Sequence, residues 1–104
     1  MHILERLEGV IAARLGGDPS ASYVARLHQQ GLGKIAQKVG EEATETVIAA
    51  LTGDDAALTG EAADLLFHLI VLLRARGLRL DAVLGELARR EGVSGIVEKA
   101  GRSA

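Results

Sequence analysis

The 104-residue chain has no cysteine and no tryptophan, and only one proline, one tyrosine and one phenylalanine. The absence of cysteine excludes disulfides and thiolate metal sites, and it is compatible with the cytoplasm, the expected location. A chain that is 48% hydrophobic but only 2% aromatic must build its core from Leu, Val, Ile and Ala, which favours packed helices over a sheet sandwich. Charge of one sign is also scarce. The net charge is −2, with Lys and Arg spread along the chain, so neither a basic patch nor an aromatic platform suggests nucleic-acid binding. Long apolar runs are missing too: Leu65 to Leu73 is interrupted by His68 and is too short to span a bilayer. The first fifteen residues carry His2, Glu5, Arg6, Glu8 and Arg14, which is unlike a secretory signal. No membrane partner is expected.

What remains is one domain over residues 1–104, with a basic tail from about 93 to 104 expected to be mobile. So small a domain buries a modest share of its surface, and much of the apolar inventory is expected between subunits. Apolar residues recur at helical spacing from Ile3 to Leu15, and Gly16, Gly17, Asp18 and Pro19 end that run. Ser20 and Ser22 offer N-caps for a short helix over Tyr23 to Gln30, which Gly31 stops. Gly33 introduces a longer helix from about Lys34 to Leu51. Thr52, Gly53, Asp54 and Asp55 form the turn that follows, with the two aspartates as turn and cap residues. A fourth helix runs from about Ala56 or Thr59 to Arg76 and stops at Gly77. Asp81 reads as the N-cap of a last one over Ala82 to Arg90. No period-two strand pattern occurs, so the fold class is all-α, a bundle of four to five helices.

Two segments place carboxylates where a core-facing helix avoids them. In KIAQKVGEEATETVIAA, Lys34, Lys38, Glu41, Glu42 and Glu45 fall within roughly a third of the helix circumference. Lys34–Lys38 and Glu41–Glu45 are like-charge pairs that a solvated helix face would avoid. In EAADLLFHLIVLLRAR the helix is apolar on nearly every side, which calls for burial in a bundle or at a dimer interface, yet Glu61 and Asp64 share its N-terminal face. Dipole compensation is the plain structural explanation for those two acids. Together the acids read E-E-x-x-E, fifteen intervening residues, E-x-x-D, a spacing that brings both pairs face to face in an antiparallel hairpin. Converging carboxylates call for a hard dication, and Mg²⁺ is the usual choice beside phosphate. Such an ion lowers the pKa of a bound water, a spare carboxylate accepts its proton, and Lys34 and Lys38 are placed to hold phosphate oxygens.

GLGKIAQKVGEEATETVIAA followed by EAADLLFHLIVLL closely resembles the phosphoribosyl-ATP pyrophosphatase family, within the MazG-like all-α nucleotide pyrophosphohydrolases. The likeness takes in SYVARL upstream and the last helix and SGIVEKAGR downstream, about four-fifths of the chain. The paired E-x-x-E and E-x-x-D alone mark the superfamily; Ser22, Tyr23, Gly31, Lys34, Lys38, Val39, Gly40, Glu41 and Glu42 point more narrowly. The resemblance implies Mg²⁺-dependent hydrolysis of phosphoribosyl-ATP to phosphoribosyl-AMP and pyrophosphate, in histidine biosynthesis, by a homodimer. By position it makes Glu42, Glu45, Glu61 and Asp64 metal ligands and Glu41 an extra ligand or water activator, with Glu41 and Glu45 the catalytic carboxylates. It also places Lys34 and Lys38 on the phosphates. Relatives often carry an attached cyclohydrolase; here only the pyrophosphatase step is expected. Gly33 stands where many relatives have a polar residue.

Single residues stay open at this level. His68, four residues after Asp64, is either a metal ligand or a satisfied core histidine. Tyr23 either stacks on adenine or packs in the core, and Arg26 is a further candidate for phosphate. Arg89, Arg90, Lys99 and Arg102 read as solvated charges. Two other functions fit the helical pattern: a house-cleaning hydrolase of nucleoside triphosphates, and a helical dimerisation module whose acids only cap and solubilise.

Overall fold

The computed structural model describes residues 2–91, so the tail and its Lys99 and Arg102 lie outside the described residues. Within them there are five helices and no strand: α1 (Ile3–Arg14), α2 (Tyr23–Gln30), α3 (Leu32–Thr52), α4 (Asp55–Ala75) and α5 (Leu80–Arg90). The long pair α3 and α4, each about 31 Å at 1.5 Å per residue, forms an antiparallel hairpin and the most extensive helix–helix contact. Against it α1 packs on α4 and α2 on α3. The core is aliphatic, as the composition requires: Ile11, Val24, Leu27, Ile35, Ile70, Val71 and Leu80 are buried together.

The hairpin turn is tight because only Gly53 and Asp54 separate the helices. A Cβ on Gly53 would lie 3.0 Å from the Ala49 carbonyl oxygen and 3.2 Å from Ala57 Cβ, so a side chain there would push the helices apart. Asp54 Oδ1 accepts from Ala57 N at 2.8 Å and caps α4, as expected of a turn acid. Ser22 caps α2 through Ala25 N at 3.2 Å. Ser20 does not cap; its hydroxyl and amide both bind Asp18. At the far end of α4, Gly77 takes φ 76° and Leu78 N donates back to the Leu73 carbonyl at 2.8 Å, the paired signature of a left-handed helix stop.

Two sequence expectations need correction. The break before α3 is Gly31, at φ 98°, and the helix starts at Leu32 with Gly33 inside its first turn, where a glycine costs little. Asp81 is not the cap of α5. The helix begins one residue earlier, and the acceptor for its first amide comes from α1: Glu8 Oε2 takes Leu80 N at 2.6 Å. Tertiary contact has replaced the local cap.

The single chain buries α4 on one side only, and its other face is the one for which a dimer interface is expected. His68, Ile70 and Val71 are buried, but Leu66 is exposed, and across α3 so are Val47, Ile48 and Leu51, the last at 79%. By length and composition alone α4 would qualify to cross a bilayer. Glu61, Asp64 and His68 interrupt it, however, and core helices of soluble proteins meet the same test.

Candidate active site

Glu42 and Glu45 stand one turn apart in the middle of α3, and Glu61 stands in the second turn of α4. The antiparallel hairpin brings these together: one carboxylate oxygen from each lies within 4.8 Å of the others. Glu42 is only 7% exposed, Glu61 is half-buried and Glu45 opens to solvent. Glu42 Oε2 and Glu61 Oε2 are buried and have no hydrogen-bond partner. Burying a carboxylate oxygen without a donor is costly, and a cation held between these acids would relieve that cost.

The electrostatics agree. The Glu61 carboxyl is held above its ordinary pKa, first by a hydrogen bond with Glu45, then by burial and by the charges of Glu45, Glu42 and Asp64. A dication held by these acids would remove the repulsion that raises the Glu61 pKa. The oxygen-only donor set suits Mg²⁺ and does not suit zinc.

Two sequence-predicted acids stand apart from this group. Asp64, one turn beyond Glu61, is exposed and near enough to raise the Glu61 pKa, but it is not one of the three gathered carboxylates. Glu41 is exposed and already engaged: Gln37 Nε2 donates to its Oε1 at 2.8 Å and Lys38 Nζ lies 3.2 Å from its Oε2. These contacts lower its pKa, Gln37 first and Lys38 second.

The cations border the acids. Lys38 Nζ also reaches Glu42 Oε1 at 3.7 Å, so it bridges Glu41 and Glu42 along one helix face. The like-charge reading of this face overlooked those i,i+3 and i,i+4 contacts. Lys34, half-buried one turn earlier, stands close enough to help lower the Glu41 pKa. Arg26 is exposed on α2, donates to the Pro19 carbonyl at 3.1 Å and has its guanidinium carbon 6.0 Å from the Tyr23 ring centroid.

His68 is buried and held at both ring nitrogens, whereas Tyr23 keeps 39% of its surface exposed. Tyr23 Oη and His68 Nε2 are 2.7 Å apart, and His68 Nδ1 lies 2.7 Å from the Asp64 carbonyl oxygen. A carbonyl only accepts, so Nδ1 carries a proton and donates; in the neutral ring Nε2 then accepts from the phenol. Both ring nitrogens are occupied, which leaves none for a metal. Phe67 packs on Tyr23 with centroids 6.3 Å apart and an interplanar angle of 27°. Burial raises the Tyr23 pKa, with the Lys38 charge opposing.

The sequence reading missed Gln37, which holds Glu41, and Thr46, whose hydroxyl lies 2.7 Å from the Glu42 carbonyl and 3.2 Å from that of Glu61. Gln37 stands four residues before Glu41, a spacing that marks it. Nothing in the sequence links Thr46 to Glu61.

Comparison with known proteins narrows the chemistry. Residues 4–91 match the family model described as phosphoribosyl-ATP pyrophosphohydrolase. The chain is 68% identical over 102 residues to a phosphoribosyl-ATP pyrophosphatase of Erythrobacter litoralis, covering 98% of both chains. It is 69% identical to that of Novosphingobium aromaticivorans, covering 98% of this chain and 95% of the relative. It is 63% identical to that of Rhizorhabdus wittichii, covering 95% and 93%.

Proposed function

Because the chain belongs to the phosphoribosyl-ATP pyrophosphohydrolase family, we propose that the carboxylates gathered between α3 and α4 are the centre at which it works. The protein is a hydrolase of histidine biosynthesis that splits phosphoribosyl-ATP into phosphoribosyl-AMP and pyrophosphate. One observation carries the proposed site: Glu42 and Glu61, two of the three gathered acids, each have a buried carboxylate oxygen without a partner.

Glu42, Glu45 and Glu61 hold Mg²⁺ in this reading, and Asp64 supplies a fourth carboxylate from the next turn of α4. A dication held by these acids would supply charge neutralisation for the triphosphate and a lowered pKa for water at the site. The protein's own groups do the rest. Lys34 and Lys38 orient phosphate oxygens as point charges, with Lys38 exchanging part of its contact with Glu41 and Glu42 for the substrate; Arg26 assists from α2. Of the two acids read as catalytic, Glu45 suits proton acceptance, since it belongs to the gathered carboxylates and is open to solvent. Glu41, depressed in pKa by Gln37 and Lys38, is the weaker base and serves better to tether Lys38.

The working unit in this reading is a cytoplasmic homodimer of single-domain protomers. The exposed Val47, Ile48 and Leu51 on α3 and Leu66 on α4 form the apolar surface a second copy would cover. Release of pyrophosphate from phosphoribosyl-ATP, measured against a panel of nucleoside triphosphates with Mg²⁺ and with chelator, tests the proposal. The expected result is turnover of phosphoribosyl-ATP that chelator abolishes and Glu45→Gln does not support. Full activity in chelator, or an unimpaired Glu45→Gln, would remove the metal centre from the reaction.

A further inference from the structure

We propose that Thr46 is a positioning residue for the metal centre: its hydroxyl ties the backbone of Glu42 to that of Glu61 and so holds α3 and α4 at the separation the carboxylates need. The inference rests on the reading of Glu42, Glu45 and Glu61 as Mg²⁺ ligands.

The geometry is specific. Thr46 follows Glu45 directly and stands one helical turn after Glu42. Its Oγ1 is 2.7 Å from the Glu42 carbonyl, the back-bond that fixes a helical threonine's rotamer. In that rotamer the same oxygen lies 3.2 Å from the Glu61 carbonyl across the helix pair. Among the described residues this is the one side-chain-to-backbone hydrogen bond between α3 and α4. It acts on the main chain of two of the three gathered acids and is adjacent in sequence to the third.

Such a tie matters because the acids themselves oppose the arrangement. Glu42, Glu45 and Glu61 repel one another when ionised, and the repulsion spreads α3 from α4 at the height of the site. The hydroxyl has one proton, shared between the Glu42 carbonyl at 2.7 Å and the Glu61 carbonyl at 3.2 Å, and the longer arm of this bifurcated bond draws the Glu61 carbonyl towards α3 against that spreading. A methyl group in its place would need roughly 3.3–3.6 Å from the carbonyl oxygen, so valine both removes the attraction and asks for more room. The Glu61 carbonyl is within α4 and keeps its helical acceptor role, so loss of the hydroxyl strands no buried backbone group.

Calorimetric titration of the full chain with Mg²⁺, and with Mn²⁺ as a tighter surrogate, tests this on wild type, Thr46→Val, Thr46→Ser and Glu61→Gln. Thr46→Val is expected to weaken metal binding by about tenfold, the scale for groups that orient metal ligands, with Thr46→Ser within about twofold of wild type. Melting in chelator should show Thr46→Val losing no more than the few degrees that one lost hydrogen bond costs; a purely structural hydroxyl would lower the Tm in this way and leave metal affinity unchanged. Wild-type affinity in Thr46→Val overturns the role of Thr46, as does a loss that serine does not restore. Because Glu61→Gln reports on the centre itself, full binding there overturns the ligand reading and this inference with it. Loss of binding in Glu61→Gln beside normal Thr46→Val sinks the positioning role alone.

Discussion

Tyr23 and His68, 45 residues apart in the chain, are joined by a 2.7 Å hydrogen bond between the phenol oxygen and Nε2. The bond ties α2 to α4 one turn beyond Asp64, whose carbonyl takes the other ring nitrogen. Arg26 rides on the same short helix, so this contact also sets where that guanidinium stands relative to the acids.

Tyr23→Phe removes the phenol and leaves a buried imidazole nitrogen without its partner. The expected cost is about 1 kcal/mol, a fall in Tm of about 4–8 °C for a domain of this size. Mg²⁺ affinity should stay within about twofold of wild type, because His68 already spends both nitrogens inside the protein. Thermal melts beside a metal titration check both halves; a large loss of affinity would put His68 back among the ligands.

Much of this was legible in the sequence, for a physical reason. Helix periodicity, the Asp54 cap, the Gly77 stop and the E-x-x-E and E-x-x-D spacing are local properties, and local properties of α3 and α4 suffice to bring Glu42, Glu45 and Glu61 together once the turn is short. What was not legible depends on tertiary contact. Glu8 replaces Asp81 as the acceptor at α5 from 72 residues away, and Thr46 meets Glu61 across the helix pair. The engagement of Glu41 by Gln37 and Lys38 was within reach of i,i+3 and i,i+4 arithmetic, but a face read as like-charged drew attention away from it.

Removing one of the gathered charges should stabilise the metal-free protein while disabling it. In Glu45→Gln the neighbour that raises the Glu61 pKa becomes neutral, and an amide can donate where a carboxylate repelled. The Tm in chelator should rise by a few degrees, and the gain that Mg²⁺ gives to wild type should vanish. Asp64→Asn, on an exposed acid outside the cluster, should reduce turnover but leave the chelator Tm nearly unchanged. A lower Tm for Glu45→Gln in chelator would show that repulsion is not what the cluster stores.

The raised Glu61 pKa has a definite sign in stability. The folded state holds this proton to higher pH than the unfolded chain does, so the metal-free protein loses stability as pH rises from the ordinary carboxylate range through the raised value. Metal binding must displace that proton, so it is opposed at low pH and free of that competition above the window. The Mg²⁺-induced rise in Tm should therefore be small near about pH 5 and larger near about pH 8. An equal rise at both would mean that Glu61 does not exchange its proton for the ion.

The apolar exterior of the hairpin supplies the last prediction. Ile48 and Leu51 are 54% and 79% exposed on α3, on a part of the helix turned away from Glu42, which is buried. Side chains of this size gain about 1.5–3 kcal/mol each on full burial, so a cluster of them is a strong reason for a second copy to cover the surface. Leu51→Glu places a charge on the most exposed of these side chains, on the side of α3 away from Glu42 and at the hairpin end of the helix. Light scattering after gel filtration should give twice the 10.9 kDa chain mass for wild type and the single mass for the variant. Helicity by circular dichroism should persist, because Ile11, Ile35, Ile70 and Val71 form a core within one protomer. A wild-type chain that elutes at the single mass at every concentration would leave that exposed ridge to some other partner and end the case for the dimer.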